Sequence, residues 1–141
     1  MKKAALFFLL AIFVCPLAQS RECSKEKAEA AENAVDSLIT WKAVYESYRR
    51  YSSCDEGSIG EGYSEAIIRL LVDRWSELPA LDALGKRSAS FESWVLSHID
   101  STLGSDDLQK VSDTAKTQCP SGHTALCEKI AVAASKVINE G

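Results

Sequence analysis

Four cysteines, at positions 23, 54, 119 and 127, limit the folds open to this chain more than any other feature. In an oxidising compartment an even set of thiols closes into pairs, and every element laid between them must respect those closures. The first twenty residues bear on the compartment. Lys2 and Lys3 precede an apolar run from Ala4 to Val14, Pro16 breaks it, and Ala18-Gln19-Ser20 sets small residues at the −3 and −1 positions of a signal-peptidase site. The run falls short of the ~20 apolar residues of a membrane-spanning helix, and no second candidate follows. Residues 1–20 therefore read as a cleaved signal peptide that takes Cys15 with it, and 21–141 as a single helical domain. A retained anchor or a lipidated Cys15 is the competing reading, but Phe13-Val14 are not the small residues that lipidation needs ahead of its cysteine. The expected location is periplasmic or secreted, with no stable membrane anchor after cleavage.

The four remaining cysteines can pair in three ways. Cys119 and Cys127 enclose Pro120, Ser121 and Gly122 between two helical patterns, so a bond between them would staple a helix–turn–helix corner and leave Cys23 to Cys54. The second bond depends on what 24–51 does. Ala31, Val35, Leu38, Trp41, Tyr45 and Tyr48 hold one phase, as a single long helix would, yet Thr40 is a suitable N-cap for a new helix. A straight helix over 24–51 would run about 40 Å and oblige Cys23 to bond Cys119 or Cys127 instead. A chain reversal near Thr40 lets Cys23 meet Cys54, and that reading is favoured. Zinc held by these thiols with His98 or His123 is disfavoured, because no Cys-x-x-Cys pair exists. No cofactor and no metal is expected.

Helical periodicity dominates the rest, and no segment alternates as a strand. Ile59, Tyr63, Ile67, Leu70, Leu71, Trp75 and Leu78 form one stripe before Pro79, with Gly57, Gly60 and Gly62 indicating close packing or a helix that starts late, at Ser64. Pro79–Leu84 reads as a short helix closed by Gly85. Ser88 or Ser90 caps the next, with Phe91, Trp94, Val95, His98 and Ile99 inward. Ser105 caps a helix over 106–118, and a last one spans about 124–139. The fold class is all-α: a five- or six-helix bundle stapled by two disulfides.

Removal of the leader takes two lysines and no acid, leaving fourteen Lys/Arg against twenty Asp/Glu, a formal charge of −6. An acidic chain has no electrostatic case for nucleic acid or an anionic membrane surface, so a charged partner is expected to be basic. The acids concentrate at Asp55, Glu56, Glu61 and Glu65. They lack the EF-hand spacing, so they offer either an acidic recognition surface or compensation of a helix dipole. Ser58 and Ser64 lack a Gly-x-Ser-x-Gly elbow. His98 is expected at the edge of the core, bonded to Asp100 or a backbone carbonyl, and His123 in the solvent. Trp41, Trp75 and Trp94 with Tyr45, Tyr48 and Tyr63 read as core, or alternatively as the lining of a ligand cavity.

The segment Cys54-Asp55-Glu56-Gly57-Ser58-Ile59-Gly60-Glu61-Gly62-Tyr63-Ser64, followed by Val95-Leu96-Ser97-His98-Ile99-Asp100 and by Cys119-Pro120 and Cys127, resembles a group of small exported bacterial proteins. In that group the corresponding stretches run Cys-Asp-Asp-Gly-Ala-Ile-Ala-Glu-Gly-Tyr-Ser and Val-Leu-x-His-Ile-Asp. Glu56, Ser58 and Gly60 depart from that pattern. The resemblance implies an exported helical fold and assigns no activity. In size, export and helix content the chain is also similar to the periplasmic immunity proteins of type VI secretion amidases, which act by plugging an effector's active site. The reading that results is a non-enzymatic, exported protein-interaction module such as an inhibitor or immunity protein. It would contact a protein partner through Asp55, Glu56, Glu61 and Glu65, with His98 and Asp100 as further candidates. A carrier of small molecules or lipid is the alternative, and a hydrolase using a carboxylate with His98 ranks last.

Overall fold

Residues 22–141 are described by the computed structural model, and the signal-peptide reading of 1–20 lies outside them. The chain runs through α1 (Lys25–Ala34), α2 (Trp41–Tyr51), α3 (Gly57–Asp73), α4 (Leu78–Arg87), α5 (Ala89–Ser97), α6 (Ser105–Thr117) and α7 (Thr124–Glu140), with single 3-10 turns at Val35–Ser37, Ser52–Cys54 and Trp75–Glu77. The described residues are thus all-helical, with seven helices where five or six were expected. The region 24–51 breaks because Thr40 Oγ1 accepts the Ala43 N–H at 3.1 Å, capping α2 at its first turn. The Val35–Ser37 turn ahead of it reverses the chain, and Cys23 meets Cys54 in a disulfide with Cα atoms 4.9 Å apart. Lys27 Nζ donates to Ser53 Oγ at 2.7 Å beside that bond. The second disulfide, Cys119–Cys127, ties the end of α6 to the first turn of α7 across a Cα separation of 6.0 Å.

The other departure is α4, which does not stop at Gly85. It runs to Arg87, and Ser88 alone separates it from α5, its Oγ accepting the Phe91 N–H at 3.3 Å. Gly85 is buried inside α4 because α5 packs on it: a Cβ there would lie 2.8 Å from Glu92 Oε2 and 3.2 Å from Glu92 Cβ. Its glycine is a packing requirement, which sequence alone renders as a stop signal. Likewise α3 ends at Asp73, so Trp75 and Leu78 lie beyond it. Trp75 Nε1–H donates to the Gln118 carbonyl at 2.8 Å, joining its 3-10 turn to the end of α6.

The core gathers Trp41 and Val44 from α2, Tyr63, Ile67, Ile68 and Leu71 from α3, Leu81 from α4, Phe91 and Val95 from α5, Val111 from α6 and Ile130 from α7, all fully buried. Each such side chain contributes about 1.5–3 kcal/mol on leaving water. Helix α3 packs on α1, α2 and α6, while α6 and α7 form the most extensive pair. The glycines of α3 answer the question left by the sequence. The helix starts at Gly57, and the Val35–Ser37 turn approaches so closely that a Cβ on Gly62 would meet the Val35 methyls at 2.8 and 2.9 Å.

Candidate functional site

Asp55 is the last residue but one before α3, Ser64 lies in that helix, and His98 caps the C-terminus of α5. Packing α5 beside the start of α3 brings these three together. His98 Nε2 stands 2.9 Å from Asp55 Oδ2, and Nδ1 stands 2.8 Å from Ser64 Oγ. Trp94 Nε1–H donates to the same Asp55 oxygen at 2.6 Å, and Ser64 Oγ donates to Asp100 Oδ2 at 2.7 Å. Thr102 completes the chain: its N–H and Oγ1 donate to Asp100 Oδ1 at 2.8 and 2.5 Å. The direct His98–Asp100 bond expected from the sequence is therefore replaced by one through Ser64.

Ionised carboxylates only accept, so the groups that face Asp55 and Asp100 are the donors. His98 Nε2–H must donate to Asp55. Ser64 has one proton, donated to Asp100 in this geometry, and whether His98 Nδ1 donates to Ser64 or competes for that proton depends on the ring's protonation. Burial tends to raise the Asp100 carboxyl, but hydrogen bonds from Thr102 and Ser64 outweigh it and hold the group below the usual carboxylate range. Burial pushes the neighbouring Tyr63 phenol up, and its bond to Ser47 at 2.9 Å only partly offsets this.

Carboxylate, imidazole and hydroxyl in sequence make the order of a nucleophilic triad. The local chemistry differs from one in two respects. The serine hydroxyl is shared with a second carboxylate, Asp100, which competes with the imidazole for its single proton. Ser64 is also 1% exposed and His98 6% exposed, and neither of the two surface grooves described below includes them. The arrangement as it stands braces α3, α5 and the 98–104 connection against one another.

The other acids of the candidate set face outward. Glu56, Glu61 and Glu65 are all exposed; Glu65 pairs with Arg69 at 3.2 Å, and Arg69 also reaches Asp73 and Asp107. Beside them a groove of about 400 Å³ runs between the Val35–Ser37 turn and α3. Val35, Leu38, Ala66 and Leu70 supply its apolar surface, while Asp36, Glu65 and Asp73 with Arg69 and Arg74 line it with charges of both signs. Ile39, which also lines it, is 61% exposed. A larger groove of about 710 Å³ lies between α5, the 98–104 connection, α6 and the end of α7, with Asp100 and Leu103 in its wall.

His123 corrects another expectation. It does not project into solvent: its Nδ1 lies 2.7 Å from Asp82 Oδ2 on α4, which also accepts from Lys86 Nζ at 2.5 Å. The Lys86 bond, joined by His123 and opposed by burial, holds the Asp82 carboxyl below its ordinary range. The pair fastens the stapled 119–127 corner to α4. The aromatic side chains pack on one another, Tyr63 against Trp94 with centroids 4.9 Å apart and Tyr45 against Phe91 likewise at 4.9 Å. Among the described residues no group of three or more His, Cys, Asp and Glu side chains is arranged to hold a metal ion. No described helix is long and apolar enough to cross a membrane.

Thr102 and Asp82 are members of these networks that sequence reasoning did not single out, and Ser64 and Trp94, weighed there as a hydrolase serine and as a core or cavity aromatic, were not linked to His98 and Asp55. A signal existed for Ser64: it follows Tyr63 on the face of α3 that carries Ile67, Ile68 and Leu71, where a polar residue must find a buried partner. Asp82 sits beside Leu81 in the same way, but the loop that supplies its histidine is forty-one residues away. Comparison with protein-family models, with curated proteins and with solved structures gave no match.

Proposed function

We propose that this is an exported helical protein that works by binding a protein partner, in the manner of an inhibitor or immunity protein. The contact surface in this reading is the outer face of α3, with Glu56, Glu61 and Glu65, together with the groove beside it. The observation that carries it is Ile39, a large apolar side chain left in solvent at an apolar groove with a charged rim. Such a combination of an apolar anchor and a charged rim suits a protein interface. The groove's two arginines pair with acids, Arg69 with Glu65, Asp73 and Asp107 and Arg74 with Glu77. With Asp36 in the groove and Glu56 and Glu61 beside it, acids outnumber bases on this face, which a basic partner fits. Two disulfides in a short chain fit an oxidising compartment, and the periplasm is the specific location proposed. Asp55, His98 and Asp100 support this surface from within by fixing the start of α3.

The test is a pull-down from a periplasmic extract with wild-type protein, an Ile39→Lys variant and a Glu56→Lys/Glu61→Lys/Glu65→Lys variant, each first shown folded by circular dichroism. Both variants are expected to lose a partner that wild type retains. Unchanged capture by both would refute the surface.

A further inference from the structure

We propose that His98 is a proton-operated latch: its protonated ring holds Asp100 through Ser64, and loss of the proton frees the 98–104 wall of the larger groove. The proposal does not depend on the partner surface above. With both ring nitrogens protonated, every group in the chain is served. Nε2–H donates to Asp55, Nδ1–H donates to Ser64 Oγ, and Ser64 O–H donates to Asp100 Oδ2. A neutral ring keeps its proton at Nε2, because Asp55 only accepts. Nδ1 then presents a lone pair to Ser64, which has a single proton and two acceptors, Nδ1 and Asp100. If it serves Nδ1, Asp100 Oδ2 loses its Ser64 donor at the groove wall; if it serves Asp100, Nδ1 is left buried without a donor.

Asp100 feels that choice, and Asp100 organises the connection. Its Oδ1 accepts twice from Thr102, and its carbonyl accepts the Leu103 N–H at 3.2 Å. Asp100, Ser101 and Leu103 in turn line the groove of about 710 Å³. The ionisable groups that face His98 are Asp55 from the segment ahead of α3, Tyr63 from α3 and, through Ser64, Asp100 from its own connection. The Thr102 and Ser64 bonds that overcome burial at Asp100 keep it an ionised acceptor near neutrality, and burial keeps the Tyr63 phenol protonated. The ring proton on Nδ1 is then the one on which the Ser64–Asp100 bond depends. Acidification closes the latch and a rise in pH opens it.

Solution NMR of the full described chain between about pH 5 and 9 tests this, with His98 ring signals told apart from His123 by a His123→Gln variant. In the wild type, the Thr102 amide shift should follow the His98 ring with one midpoint. Hydrogen-exchange protection of Thr102 and Leu103, corrected for intrinsic rates, should fall about tenfold across it. In Ser64→Ala the ring should still titrate while the Thr102 amide no longer follows; should that variant not fold, Asp100→Asn is expected to abolish the Thr102 response in the same way. A Thr102 amide indifferent to the His98 transition overturns the latch. So does the same response without Ser64 or Asp100, or a His98 ring unchanged over the whole range.

Discussion

Single polar atoms inside the core decide much of how these helices are registered. Ser47 bonds Tyr63, Ser64 bonds His98 and Asp100, and Ser112 bonds Ser135 at 3.0 Å, each link joining different segments. Such residues were invisible as a network in the sequence, because pattern reading assigns a serine to a cap or to the surface, and its partners lie tens of residues away. Close approach is the other effect at this scale. Gly62→Ala puts a methyl where the Val35 side chain already is, and overpacking of this kind costs about 1–3 kcal/mol. Urea denaturation should show that loss, and Val35→Ala in the same chain should return part of it. An alanine variant as stable as wild type would mean that the Val35–Ser37 turn yields freely.

At the level of helices, local signals and long-range closures had to agree. Thr40 and Ser88 were readable as helix starts, since an N-cap needs only its own side chain and the next three residues. Gly85 and the end of α3 were not, because what fixes them is α5 packing on one and Trp75 reaching α6 from the other. Thr40→Ala should cost about 1 kcal/mol in thermal or urea unfolding. The disulfides act on the same elements through the unfolded chain. Cys23–Cys54 closes a separation of 31 residues and Cys119–Cys127 one of 8, so in the chain-entropy account removing the first should cost more, within about 2–4 kcal/mol for each. Equal losses, or a larger loss from the short loop, would assign the stabilisation to contacts in the folded state instead.

For the whole molecule, the all-helical class and the two-disulfide frame followed from period and cysteine count, while the polar chain from Asp55 to Thr102 required the fold. Acid should reveal that chain. Asp82 and Asp100 both sit below their ordinary range, so the stability they add is complete above about pH 4 and drains away as pH falls through their lowered values. Urea midpoints measured from pH 5 to 2 should fall steeply, and less steeply in Asp100→Asn; identical slopes would remove Asp100 from the account. Alkylation before intact-mass analysis should label none of Cys23, Cys54, Cys119 or Cys127.

One contact has an optical consequence. The Trp94 indole meets the His98 ring edge-on with centroids 4.5 Å apart. An imidazolium cation quenches a touching indole by drawing an electron from its excited state, whereas neutral imidazole does so far less. Intrinsic emission should therefore brighten as His98 gives up its charge, with Trp41 and Trp75 as a steady background, so that the chain carries its own gauge of that proton.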